Sequence, residues 1–366
     1  MEYLPILNLL LEALAYLGRR AAGNTIEHLM DRLRSNGVAQ TDPLFRRLGP
    51  LEEVYQAITQ AVPLAEDILS ALFGNLPGFP YNTVGSYSPG FLLLFPQVAK
   101  YSGSLAHALA GAQAMGPEEL AGQLALALDI ADEGATTMPA DTFSARVLDL
   151  SVPAESKVAI LDLFRRPQAV LAQAGPVLRQ TIAALEAQRK TLEEICVPFT
   201  QALLNTGPAD FIDQTSGLSA KPDLGYRLRP FLFGLDTNLA TPQIPGEPVQ
   251  VYCGILRGPI QQALSATRGP EYQVYHAIKL LGDKTRFDIL CYLRNRRAYG
   301  QELSAKFGLS RNTIHHHMSK LLAARLVSCT VDGNRVYYTV DRESVSDLLN
   351  RQRALLLPQA EKGEAG

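Results

Sequence analysis

Residues 299–340 read YGQELSAKFGLSRNTIHHHMSKLLAARLVSCTVDGNRVYYTV. Leu303 and Phe307 stand four apart, which predicts a short helix over Gln301–Phe307. Gly308 supplies a turn, Leu309 an apolar plug, and Ser310 a cap for a longer helix over Arg311–Ala324. Asp332-Gly333-Asn334 is a tight-turn signal between two β-rich runs, Leu326–Val331 and Arg335–Val340. Working outward, Glu271–Leu281 is a helix candidate with Val274, Ile278 and Leu281 on one face. Lys284–Arg294, capped by Asp283, places Phe287, Leu290 and Cys291 on one stripe, with Ile289 and Leu293 beside it. Glu343–Leu357 is a last amphipathic helix. Two helices, a helix-turn-helix, a β-ribbon and a closing helix make a winged-helix architecture over residues 269–357.

At 100° per residue, Ile314, Met318 and Leu321 fall on one side of the longer helix and are expected to face the core. Asn312, His315, His316 and Ser319 fall opposite, with Arg311, Thr313 and Lys320 flanking them. Such a face carries donors and acceptors suited to base edges and phosphates in a major groove. The helix N-terminus, with Ser310 as its cap, adds free N–H groups for a phosphate. Arg335, at the start of the second wing strand, is placed to reach the adjacent backbone or minor groove. The candidate DNA-contacting set is therefore Ser310, Arg311, Asn312, Thr313, His315, His316, Ser319, Lys320 and Arg335.

The charge agrees with that assignment. Residues 271–366 contain 15 Lys+Arg and 10 Asp+Glu, while the remainder carries 19 and 26. The chain's net charge of −2 thus hides a basic C-terminal quarter on an acidic body, and the basic part is the one that suits a polyanion.

The body, residues 1–268, is expected to be mainly helical. Three- and four-residue apolar spacing recurs in Leu4–Leu17, Leu48–Val62, Leu120–Ile130 and Val177–Leu204. Breaks containing Pro43, Pro117, Pro153, Pro176 and Pro208 separate these stretches. Within 206–256 the texture turns to strands, Gly225–Phe233 and Val249–Ile255, which fit a small hairpin or sheet. The segment Gly74–Gly90 holds three Pro and three aromatics. It is either a surface connection whose rings plug the helical core or a ligand-facing lid. Residues 358–366 are a polar tail. No stretch is long and apolar enough to suggest a membrane span, and no basic leader precedes Glu2, so a soluble cytoplasmic protein is expected.

The run from LGDKTRFDILCYL through the recognition helix and wing resembles the ArsR-type winged-helix regulators over roughly 271–357. The resemblance implies an operator-binding transcription regulator that dimerises through its first and last helices, here Glu271–Leu281 and Glu343–Leu357. Two departures stand out. Family members usually carry Gly before the wing, where this chain reads Ala323-Ala324-Arg325-Leu326, so Arg325 is expected to take up that backbone conformation. Metal sensors of the family place Cys in the first helix of the helix-turn-helix, or Asp/His ligands in the last helix. Gln301–Phe307 has neither Cys nor His, and Glu343–Leu357 has no His, so metal sensing does not carry over.

Consecutive residues on a helix splay too widely for His315, His316 and His317 to converge on one ion, and His317 is expected at the core edge. Cys291 and Cys329 are read as buried or half-buried packing residues, with a thiol switch between them as the alternative. No metal or cofactor is expected. No P-loop, GxGxxG, HExxH or GxSxG occurs. The favoured reading is a non-enzymatic, homodimeric DNA-binding regulator whose N-terminal domain answers a non-metal signal, with a small-molecule effector as candidate. The alternative is an enzyme or ligand-processing helical domain fused to a DNA-binding module.

Overall fold

In a computed structural model the structure describes residues 2–79, 84–100, 104–132, 135–208, 211, 225–241, 247–267, 269–309, 311–332 and 335–357. Within these, the side chains of 99, 100, 270, 272, 273, 311, 312 and 331 are not described. Seventeen helices against seven short strands among the described residues make the chain mainly α. It divides into two compact units between Ala263 and Leu264.

The first unit is built on helix α1, Leu9–Ala21, in which every residue from Leu10 to Arg19 is buried. A helix buried on all sides must satisfy its polar side chains internally. Asn8 caps it by accepting from the Leu11 N–H and donates through Nδ2 to the Tyr252 hydroxyl at 3.2 Å. Glu12 receives the Leu232 and Phe233 N–H groups at 2.9 and 2.8 Å. Arg19 Nε donates to the Phe233 carbonyl at 2.9 Å. Two side chains one helical heptad apart therefore hold the same turn. Burial pushes the Glu12 carboxyl up to about 8 against the pull of those two N–H groups.

The unit continues with α2 (Ile26–Ser35), α3 (Pro43–Ala61), α4 (Glu66–Phe73), α5 (Pro89–Lys100), α6 (Leu105–Ala114), α7 (Pro117–Ala127), α8 (Ala140–Leu148), α9 (Ala154–Arg165), α10 (Pro167–Ala187) and α11 (Arg189–Thr206), of which α4, α5 and α10 pack on α1. Pro43, Pro117 and Pro167 open their helices, where a missing N–H costs nothing. The expected break at Gly175-Pro176 is absent. Both residues lie inside α10, whose buried face continues through Leu171, Ala174, Gly175 and Leu178. Tertiary burial there outweighs the lost backbone hydrogen bond.

Strands β1 (Glu2–Tyr3), β2 (Tyr226–Phe231), β3 (Leu239–Ala240) and β4 (Val249–Gly254) form one sheet in the order β1-β2-β4-β3. β2 and β4 are parallel and do not form a hairpin with each other. The hairpin pairing is between β3 and β4. A parallel pair needs a crossover, which the 232–248 connection provides. The first residues of the chain supply β1, parallel to β2, an element the sequence pattern did not signal.

The connection between α4 and α5 is pinned rather than free over its described residues. Leu76 N–H donates to the Tyr87 carbonyl, Tyr87 N–H to Asn75 Oδ1, and the Phe79 and Tyr87 rings stack at 4.9 Å. Val84 is fully buried. A Cβ on Gly18 of α1 would lie 2.3 Å from the Val84 carbonyl oxygen, so only glycine admits this approach. These contacts favour the core-plugging reading over a lid; residues 80–83 lie outside the described set.

The division between units falls inside α12, Arg257–Ala266. The second unit comprises α13 (Pro270–Leu281), α14 (Lys284–Leu293), β5 (Ala298–Tyr299), α15 (Gly300–Phe307), α16 (Arg311–Ala323), β6 (Val327–Asp332), β7 (Arg335–Val340) and α17 (Arg342–Leu356). Its sheet has the order β5-β7-β6, so the two-stranded ribbon gains a third strand from the residues before α15. The core gathers Leu280, Ile289, Leu293, Leu303, Ile314, Met318, Leu321, Leu326 and Val327. This is a winged helix.

One stripe is corrected. Ile289 and Leu293 are the buried pair of α14, whereas Phe287 is 51% exposed and Cys291 is exposed. The helix carries two apolar stripes offset by two residues, Phe287/Cys291 and Ile289/Leu293, and the sequence pattern alone does not say which faces inward. Cys329 is buried, as expected.

Candidate nucleic-acid interface

The helix-turn-helix closes through its turn. Gly308 adopts φ +63°, the Leu309 N–H donates to the Ser304 carbonyl at 3.2 Å, and Ser304 Oγ donates to the Leu309 carbonyl at 2.5 Å. Glu302 Oε2 accepts the Tyr299 N–H at 3.0 Å, fixing the start of α15. These bonds set the angle at which α16 leaves the turn.

Ile314, Met318 and Leu321 are fully buried. His315, His316, Ser319 and Lys320 are exposed and Thr313 is half-buried. Ser319 Oγ lies 3.3 Å from His315 Nδ1, one turn apart along the exposed side. Arg311 and Asn312 sit in the first turn of α16 with undescribed side chains, and Ser310 lies outside the described residues. The geometry thus gathers four of the nine expected residues on one exposed face.

His317 is 9% exposed and turned inward. Its Nδ1 lies 3.8 Å from Asp283 Oδ1 and makes no hydrogen bond among the described residues. Burial pushes the imidazole below its ordinary range, partly countered by the Asp283 charge. Asp283 is held below the usual carboxylate range, first by the Arg286 N–H that it caps at 3.0 Å. The three histidines therefore do not share a site. No group of three or more His, Cys, Asp or Glu side chains among the described residues is placed to hold a metal ion.

The wing ladder runs from Val327↔Val340 to Asp332↔Arg335; Gly333 and Asn334, where the sequence signals a tight turn, lie outside the described residues. Arg335 is half-buried, its guanidinium 3.9 Å from the centre of the Tyr299 ring. Arg325 adopts φ +56°, the left-handed conformation expected where the family carries glycine.

Sequence reasoning missed the exposed Arg294, Arg296 and Arg297, which precede β5. Their signal was legible: no acidic residue lies between Asp288 and Glu302.

The model of the bacterial regulatory protein arsR family matches residues 283–328, from the cap of α14 to the start of β6. The HTH-type transcriptional regulator KmtR of Mycobacterium tuberculosis is 32% identical over 76 residues, which cover 21% of this chain and 58% of that protein. The arsenical resistance operon repressor of Staphylococcus aureus is 31% identical over 72 residues, 20% of this chain and 69% of that protein. The chain belongs to the arsR family. No solved structure matches it. The part matched by each relative is about a fifth of this chain's length, and the residues matched by the family model lie in the second unit. No helix among the described residues is long and apolar enough to cross a membrane.

Proposed function

We propose that this arsR-family regulator binds operator DNA by seating α16 in the major groove and laying the wing on the adjacent backbone. The observation that carries this reading is the two-sided character of α16: a fully buried Ile314/Met318/Leu321 stripe and an exposed His315/His316/Ser319/Lys320 face. Ser310, Arg311, Asn312 and Thr313 belong to the same contact through the first turn, and Arg335 contributes from β7. The reading is of a regulator, not an enzyme.

The DNA-binding form is a homodimer through α13 and α17. These helices pack on each other, and no residue of α17 is buried. Tyr275 and Ile278 of α13 and Leu349 and Leu356 of α17 are 58, 38, 57 and 68% exposed, apolar surface that a second copy would cover. The first unit controls DNA affinity through a non-metal signal, a small molecule being the favoured class. Its size supports a role beyond that of a DNA-binding module, and α15 carries neither Cys nor His and α17 no His.

The test is duplex binding by the full chain with single substitutions in α16. His316→Ala should relax base preference at its position by about 1–3 kcal/mol while leaving the fold intact. Equal affinity for selected and scrambled duplexes in the wild type would contradict the reading. Operator affinity measured against panels of metals and hydrophobic compounds tests the signal; a large zinc or cadmium response contradicts the non-metal assignment.

A further inference from the structure

Outside α16 the second unit carries another set of cations, each lying against a tyrosine ring. Arg296 sits 4.6 Å from the centre of the Tyr292 ring, and Lys306 Nζ 5.7 Å from the same ring. Arg297 sits 4.5 Å over Tyr337, and Arg335 3.9 Å over Tyr299. The β5–β7 ladder places Tyr299 directly opposite Tyr337, and their rings meet edge to face at 5.4 Å. Tyr292 is likewise fixed, edge to face with Phe307 at 5.8 Å. Rings anchored this way hold their cations in place.

The nearby acids engage groups other than Arg296 and Lys306. Asp332 pairs with Arg297 at 3.0 Å, and Glu302 accepts the Tyr299 N–H. Arg296 and Lys306 are exposed and make no ion pair with a described carboxylate. Bringing two cations to one ring costs repulsion that a shared anion would relieve. A guanidinium lying on a ring also keeps its N–H edge outward, the geometry that suits a phosphate.

We infer that Arg296 and Lys306, gathered on Tyr292, form a second DNA-backbone contact away from the recognition helix, with Tyr292 as the positioning residue. The inference rests on the proposed DNA binding. A polyanion is favoured over an acidic peptide because α15, which carries Lys306, packs directly on α16 and belongs to the same unit. The contact is blind to sequence, because it reads phosphates and not base edges.

The experiment measures affinity of the full chain for a selected and a scrambled duplex across a salt series. The Arg296→Ala/Lys306→Ala double variant should reduce the slope of log affinity against log salt by about 2, since each neutralised phosphate contributes about 0.9. Its preference for the selected over the scrambled duplex should be unchanged. Tyr292→Phe should keep the wild-type slope and Tyr292→Leu should lose part of it. A folded double variant with the wild-type slope overturns the inference and leaves the proposed function standing. A wild type that binds neither duplex overturns both.

Discussion

Three residues hold conformations or environments that single substitutions can probe. Arg325 occupies the left-handed region at φ +56°, which costs a non-glycine residue roughly 1–2 kcal/mol. Arg325→Gly should stabilise the second unit by about 1 kcal/mol in denaturant unfolding. The Tyr55 hydroxyl is buried without a hydrogen-bond partner among the described residues, against Tyr16 at 4.9 Å and Phe233 at 6.3 Å. Tyr55→Phe removes that unsatisfied group and should raise stability by about 1–3 kcal/mol; a loss would show that the hydroxyl is satisfied in solution. Glu12 ionises ordinarily near 4.5 but at about 8 in the fold. Between those values the folded chain holds a proton that the unfolded chain has released. The resulting stability is complete below about 4.5 and is lost as pH rises through about 8. The melting temperature of the wild type should therefore fall between about pH 5 and about pH 8 and level off above that, and Glu12→Gln should flatten that fall.

At the scale of elements, α16 separates stability from recognition. Ile314→Ala, at a fully buried position, should cost about 2–5 kcal/mol of unfolding free energy, whereas His316→Ala should change stability by less than about 0.5 kcal/mol. Similar losses from both substitutions would mean that the exposed face packs against something. This two-sidedness was legible in sequence, because one 3.6-residue period sorts Ile314, Met318 and Leu321 from His315, His316 and Ser319. The turn at Gly308 and the left-handed Arg325 were legible for a related reason: each follows from a local backbone requirement. Where two patterns compete, the sequence decides less. In α14 both Phe287/Cys291 and Ile289/Leu293 satisfy helical spacing, and only packing selects the second pair. β1 and β5 are two residues long, too short to carry a period. The parallel pairing of β2 with β4 is set by long-range contacts, among them Glu12 and Arg19 holding the turn at Phe233. The Arg296–Tyr292–Lys306 grouping joins residues from two helices and the turn between them, and a charge count does not show which ring each cation meets.

At the scale of the whole molecule, the proposed DNA-binding form pairs two copies of the chain through α13 and α17. Leu349→Glu with Leu356→Glu, both on the exposed side of α17, should convert a dimer to a monomer in sedimentation and weaken operator affinity at least tenfold by uncoupling the half-sites. A wild type that sediments as a monomer on DNA would remove this part of the account. The central claim is that α16 reads duplex DNA, and it is tested most directly by selecting bound duplexes from a randomised library with the full chain at low salt. The account predicts an enriched pseudo-palindrome with half-sites one DNA turn apart, or a multiple of about 10 base pairs, that His316→Ala blurs at one position in each half. A folded chain that retains no duplex from the library, or retains duplexes without any shared sequence, would contradict it.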